Sequence, residues 1–420
     1  MSGRTGPVDE ALEAVYRTDR GRVLARLIGI LGDFDLAEES LQDAWVAATR
    51  SWPKAGIPDN PAGWLVTAAR RKAVDRLRSV TASARRQRAW GELAITWDLG
   101  GGTEPIPDDR LRLIFTCCHP ALSLEAQVAL TLRSLGGLTT EEVAKSFLIS
   151  ETALAQRVVR AKRKIREAGI AYRVPSPEEL AGRLGAVLAV IYLIFNAGYL
   201  PPSGADLVKV DLCDEALRLC GVVIELLPDE PEPVSLAAMM RFQHARRQAR
   251  LDGDGVPVTL EEQDRSRWDR TEVAAGLALL ERAQDMEREG PYGIKASIAA
   301  LHAAAPRSDL TDWAAIVRLY DRLLVWEPTA VVRLNRAVAV AMADSPSAGL
   351  ALVDDPDLAR ELDGYHLYAA TRADLLRRSG RLAEAAASYR LARDQTRNGA
   401  EHRFIDRRLD ELDAPGPHSG

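Results

Sequence analysis

Apolar side chains recur at three- and four-residue spacing along most of this chain, the period of helices buried on one side. The first run covers 11–31, where Val15, Tyr16, Val23, Leu24, Leu27, Ile28 and Ile30 fall among basic positions before Gly32-Asp33 stops the helix. Asp35 stands where it can cap the next helix, LAEESLQDAWVAATRSW, whose apolar row is Leu41, Trp45 and Ala48. The other face of that helix carries Glu38, Glu39, Gln42 and Asp43, a pattern that a merely solvated face would also give. PKAGIPDNP reads as a loop from its Pro, Gly and Asn content. In the following helix, GWLVTAARRKAVDRLR, the positions Leu65, Ala69, Ala73 and Leu77 repeat every four residues.

Residues 138–167 predict two helices joined by a tight turn. Thr139 and Glu142 have the spacing of a capping box, and Val143 with Phe147 gives the first helix its apolar face. Leu148-Ile149-Ser150 makes the turn, and Ser150 caps a second helix striped by Leu154, Val158, Ala161 and Ile165. Arg157, Arg160 and Lys164 lie off that stripe, flanked by Lys162, Arg163 and Arg166. A cationic helix with a short polar N-terminus suits a major-groove reader: cations neutralise phosphates while Ser, Thr, Gln and Arg reach base edges. A solvated helix with a charged outer face is the plain alternative.

Charge sharpens the division. The net charge of −5 over 420 residues combines a front half, 1–174, carrying 26 Lys/Arg against 21 Asp/Glu, with a remainder carrying 29 against 39. Polyanion contact is therefore expected only in the front half. From Arg70 to Arg88 eight basic residues stand with Asp75 as their sole acid, an accumulation that phosphates would relieve. Trp64, where the loop meets the helix, can serve as core or stack on an unpaired base. Between Trp90 and Asp109 the sign reverses: Gly100, Gly101, Gly102, Pro105 and Pro107 occur with five acids and no Lys or Arg, which predicts a flexible acidic linker over 81–108.

Four cysteines in so long a chain do not make a disulfide framework and point to a reduced, cytoplasmic setting. Cys117-Cys118-His119 has the ingredients of a metal site, but adjacent cysteines converge poorly on one ion, so no metal or cofactor is expected. The apolar segment 184–200 is short for a membrane span, holds Asn196 and runs into Pro201-Pro202, which predicts a buried helix and no membrane partner. With no Walker loop, metal triad or nucleophile arrangement, the chain does not read as an enzyme.

Three motifs together resemble the extracytoplasmic-function (group IV) sigma factors of bacterial RNA polymerase. DFDLAEESLQDAW (33–45) looks like that family's polymerase-clamp-binding helix, NPAGWLVTAARRKAVDRLR (60–78) like its strand-opening and −10-type reading helix, and LTTEEVAKSFLISETALAQRVVRAKRKIRE like its −35-type helix-turn-helix. The resemblance implies that Asp35, Glu38, Glu39, Gln42 and Asp43 face core RNA polymerase. It implies that Trp64, Arg70, Arg71, Lys72, Arg76 and Arg78 face the downstream promoter element. Ser150, Glu151, Thr152, Gln156, Arg157, Arg160 and Lys164 would meet the upstream element of promoter DNA. Two positions depart from the family: Arg71 stands where Asn is usual, and Leu148 where the turn usually has Gly.

The expected fold is all-α: a first small sigma domain over 8–80, a second with the helix-turn-helix over 109–172, and a helical extension over 173–415. FTCCHPAL, IYLIFNAGYL and EQDRSRWDR resemble the family subgroup with a long C-terminal extension of helical repeats. Within it, 365–396 reads as a tetratricopeptide-type helix pair turning at Gly380, and 313–342 as an earlier pair turning at Pro328. LDGDGVPVTL reads as a small hairpin, and Asp264 to Arg270 as an interdomain salt-bridge cluster or a ligand site. Such an extension would modulate the front half in response to a protein or small-molecule signal. The competing reading is a helix-turn-helix regulator with a repeat-type sensor domain that is not a polymerase subunit.

Overall fold

The computed structural model describes residues 7–80, 109–136, 138–146, 149–199, 212–396 and 399–413, and every regular element among them is helical. The chain forms two compact units, 1–193 and 194–420.

The first unit begins with α1 (Pro7–Leu31), α2 (Phe34–Ala55) and α3 (Pro61–Val80), which enclose Leu24, Leu27, Leu41, Trp52, Leu65 and Ala69. Gly32, at φ +65°, lets the chain turn so sharply that Asp33 caps α2, accepting from the Leu36 amide at 2.9 Å. Asp35, expected as that cap, is instead an exposed first-turn residue. Asn60 caps α3 through the Gly63 amide at 2.9 Å. Trp64 is half-buried and meets Trp52 edge to face, ring centroids 5.6 Å apart.

The same unit continues with α4 (Arg110–Cys117), α5 (Leu124–Ser134), α6 (Thr140–Ser146) and α7 (Glu151–Glu167). Ser123 caps α5, accepting from Ala126, and the expected caps form: Ser150 accepts from Ala153, and Thr139 and Glu142 exchange both capping-box bonds. Leu154, Val158, Ala161 and Ile165 are buried as one stripe. Phe147 and Leu148, assigned to the apolar face and the turn, lie outside the described residues. By position Asp108 or Asp109 suits the cap of α4; Asp108 lies outside the described residues, and the Asp109 side chain makes no cap bond, lying buried between Arg26 at 3.3 Å and Arg112 at 3.1 Å.

α8 (Pro177–Tyr199) holds the apolar segment. Over 178–198 it is long and apolar enough to cross a membrane by composition, and its Leu184, Val187, Leu188, Val190, Ile191, Ile194 and Phe195 are buried within the protein.

The second unit is a succession of helices: α9 (Leu212–Leu226), α10 (Pro231–Ala245), α11 (Arg270–Gln284), α12 (Pro291–Ala304), α13 (Trp313–Trp326), α14 (Ala330–Ala343), α15 (Pro346–Val353), α16 (Pro356–Glu361), α17 (His366–Arg378), α18 (Leu382–Gln395) and α19 (Gly399–Asp413). Both expected pairs are present, α13 with α14 across Pro328 and α17 with α18 across Gly380 at φ +76°. Small residues set their spacing. A β-carbon on Gly349 would stand 2.4 Å from that of Ala341, so α15 rests directly on α14.

The segment 251–260 folds back on itself as a minimal hairpin, Val258 donating to the Arg250 carbonyl at 2.8 Å and Asp252 to that of Val256 at 3.0 Å. It makes one antiparallel bridge, Leu251 with Pro257, around a turn in which Asp252 accepts from the amides of Asp254 and Val256. The 264–270 segment is a staple inside the second unit. Asp264 and Asp269 cap helical turns, and buried Arg265 donates to the carbonyls of His302 and Ala305 at 2.6 and 2.5 Å while stacking on Trp268.

Arg265 and Arg246 lie near His302, whose ring meets Trp313 edge to face at 5.1 Å. Burial first, then these two cations, lower the His302 imidazole to about 4. The unfolded chain titrates near 6.5, so between about 6.5 and 4 it binds a proton that the folded unit refuses. Stability is expected to fall by about 2–3 kcal/mol through that window. Urea unfolding of the wild type and His302→Gln across pH 7 to 4 checks this, the variant lacking that component of the slope.

Candidate polymerase and nucleic-acid interface

Three surfaces of the first unit carry the residues singled out from the sequence. On α7, Ser150, Glu151, Thr152, Gln156, Arg160 and Lys164 are exposed and Arg157 is half-exposed, while the apolar stripe faces inward. The helix therefore presents an open polar face whose N-terminal end is short-chained and whose remainder is cationic. On α3, Arg71 and Lys72 are exposed and Trp64 and Arg70 half-buried; the side chain of Arg78 lies outside the described residues.

α2 carries the acids. Asp35, Glu39 and Gln42 are exposed, Glu38 and Asp43 half-buried. These acids do not stand alone. Arg76 of α3 donates to Asp43 through Nε at 3.0 Å and Nη2 at 2.8 Å, and its Nη1 pairs with Glu39. A residue expected to face DNA is thus held by two expected to face polymerase.

At the other end of the acidic face the partner comes from α7. Lys162 Nζ donates to Asp35 Oδ1 at 3.0 Å and to Glu38 Oε2 at 2.9 Å, and Arg166 reaches Asp35 at 3.3 Å. Lys162 is only 7% exposed. By sequence alone it stands among the cations that flank Arg157, Arg160 and Lys164. Its spacing held the signal: Lys162 follows Leu154 and Val158 at i+8 and i+4, on the edge of the buried stripe. A lysine there must find acid partners from another element.

The surrounding contact between α1 and the α4–α7 segment is close. Arg20 is buried and donates to the Arg133 carbonyl at 2.7 Å. A β-carbon on Gly21 would lie 3.1 Å from the Leu135 carbonyl oxygen, and one on Gly29 would lie 3.3 Å from the Tyr172 ring. Tyr172 donates its hydroxyl to the Ala25 carbonyl at 2.7 Å, and burial raises its phenol above the ordinary value.

All four cysteines are buried. Burial pushes the Cys118 and Cys220 thiols up to about 12, away from the thiolate form that binds metals. Among the described residues no group of three or more His, Cys, Asp or Glu converges as a metal site.

Residues 15–82 match the family description sigma-70 region 2, and residues 112–165 match sigma-70, region 4. Residues 183–284 match a family of unknown function, DUF6596. The ECF RNA polymerase sigma factor SigK of Mycobacterium sp. (strain KMS) is 30% identical over 36% of this chain and 78% of its own length. The chain belongs to the extracytoplasmic-function family of sigma-70 factors. It is an RNA polymerase sigma factor, a DNA-binding protein of transcription initiation, with an additional helical C-terminal domain. A similar chain of the same span is the uncharacterized protein R00370 of Rhizobium meliloti (strain 1021), 39% identical over 98% of this sigma factor and 97% of that protein. The probable ECF RNA polymerase sigma factor SigI of Mycobacterium tuberculosis (strain ATCC 25618 / H37Rv) is 27% identical over 39% of this chain and 58% of its own length.

The buried Asp109 carboxylate joins the two sigma regions through Arg26. Asp109→Ala removes the buried carboxylate that bridges Arg26 and Arg112, both of them partly exposed, and is expected to cost about 1–3 kcal/mol. Thermal or urea unfolding of the first unit measures it. A loss below about 0.5 kcal/mol would contradict the assigned role.

Proposed function

We propose that this sigma factor engages core RNA polymerase through the acidic face of α2, residues Asp35, Glu38, Glu39, Gln42 and Asp43. In this reading Trp64, Arg70, Arg71, Lys72, Arg76 and Arg78 of α3 meet the downstream promoter element. Ser150, Glu151, Thr152, Gln156, Arg157, Arg160 and Lys164 enter the major groove of the upstream one. The observation that carries the reading is the open polar face of α7, with its apolar stripe buried and its base-reaching residues at the free end. The domain division proposed is 8–80 and 109–172 for the two sigma regions, joined by an acidic linker, with 173–415 as the extension.

The extension is the proposed regulator, acting within the cytoplasm in response to a protein or small-molecule signal. Its support is that a large acidic helical unit is covalently part of the chain, so its effective concentration beside the sigma regions is fixed by the tether. Helical repeats supply grooves for such signals.

Run-off transcription with core polymerase and genomic promoters tests both parts. Full-length protein is expected to give promoter-dependent initiation, and deletion of 175–420 to change its level or its response. Initiation no higher than core alone would reject the main reading, and an unchanged truncated protein would reject regulation by the extension. Arg157→Ala and Arg160→Ala are each expected to weaken promoter binding by about 1–3 kcal/mol where they contact bases. Where they contact phosphate alone, the slope of log affinity against log salt drops by about one, measurable by titrating salt in a filter or anisotropy assay.

A further inference from the structure

Two of the acids proposed to meet polymerase, Asp35 and Glu38, are already occupied by the −35-type reading helix. Lys162 spans from α7 to both Asp35 and Glu38 of α2, residues more than one hundred positions away in sequence, and Arg166 adds a second cation to Asp35. The ammonium group is almost wholly buried, so this is a made contact and not a surface encounter. The ground beneath it is shaped for closeness: Gly21 against Leu135, Gly29 against Tyr172, and Arg20 buried on the carbonyls of Arg133 and Ser134. Yet the opposite end of α7 stays open, with Ser150, Glu151, Thr152, Gln156 and Arg160 exposed. The closed arrangement therefore occupies part of one functional surface, at Asp35 and Glu38, and spares the other.

We infer that Lys162 is a latch: in the free protein it holds the region-4 helices onto region 2 and keeps Asp35 and Glu38, the first two acids of the α2 face, from core polymerase. The inference rests on the proposed role of that face. The latch also states the chemistry of its competitor. Whatever displaces Lys162 and Arg166 must present a basic patch able to satisfy Asp35 and Glu38, because removing the cations alone leaves Glu38 half-buried and unpaired. Polymerase binding thus exchanges one set of cations for another, and any influence that loosens α7 from α2 raises apparent affinity by freeing the competent state.

The test uses the full-length protein with cysteines at exposed Lys54 and Arg163 carrying a dye pair, the four native cysteines being buried. Lys162→Glu places a third acid against Asp35 and Glu38. It is expected to lengthen the dye separation and to tighten core-polymerase binding about fivefold or more. The double variant Lys162→Glu with Glu38→Lys is expected to restore the short separation, which a merely unfolded region 4 would not do. In the unmodified protein, a zero-length carbodiimide is expected to couple Lys162 to Asp35 or Glu38, and the coupled chains, once separated from uncoupled ones, to have lost polymerase binding. An unchanged separation in Lys162→Glu, absence of the coupled peptide by mass spectrometry, or equal polymerase binding by coupled and uncoupled chains would each overturn the latch. The separation and the coupling are read without polymerase, so they stand or fall apart from the initiation assay.

Discussion

The first unit depends on an ammonium group placed where water barely reaches it. A buried lysine without partners would shed its proton or drive the surrounding elements apart, because an uncompensated charge in a low-dielectric setting costs several kcal/mol. Lys162 avoids this by meeting two carboxylates from α2 at hydrogen-bonding distance. That requirement fixes the register of α7 against α2 more tightly than the apolar stripe alone. Leu154, Val158, Ala161 and Ile165 would tolerate a small slide; a lysine shared between Asp35 and Glu38 would not.

From this constraint the distribution of charge on the unit becomes intelligible. α2 lies between two cationic helices and offers acids to both: Glu39 and Asp43 to Arg76 of α3, Asp35 and Glu38 to Lys162 of α7. The basic excess of the front half is therefore not spread over an indifferent surface. Part of it is neutralised within the fold, and among the described residues Arg71, Lys72, Arg160, Arg163 and Lys164 are exposed on α3 and α7. The second unit uses charge differently. Its helices approach through Gly349, Ala337, Ala341 and Ala385, and its buried Arg265 serves backbone carbonyls at the end of α12.

The helices were largely legible because their apolar period is regular and their caps are short-range chemistry. Thr139 with Glu142, Ser123 and Ser150 need only residues three positions away. The errors arose where a local pattern had two solutions or a distant partner intervened. Asp33 and Asp35 both suit a cap, and Gly32 at positive φ decides for Asp33. Asp109 resembles a cap until Arg26, eighty-three residues earlier, claims its carboxylate. The residues of the candidate interface were readable as types on helix faces, since exposure follows the period. Their pairing was not, because which acid meets which base depends on how helices separated by a long linker come together.

The two ion clusters on α2 also differ in how solvent reaches them. Arg76 and its acids are all more than a third exposed, so salt at physiological strength, with a Debye length of about 8 Å, screens much of their attraction. Lys162 is sheltered, and screening acts on it weakly. Ionic strength therefore loosens the α2–α3 cluster and the exposed Arg166–Asp35 pair first, and leaves the Lys162–Glu38 pair, sheltered on both sides, in place. A surface that must be uncovered by a specific partner, and not by any rise in salt, requires this ordering: the guarding charge is the buried one, and the acid beneath it yields only to another cation that fits.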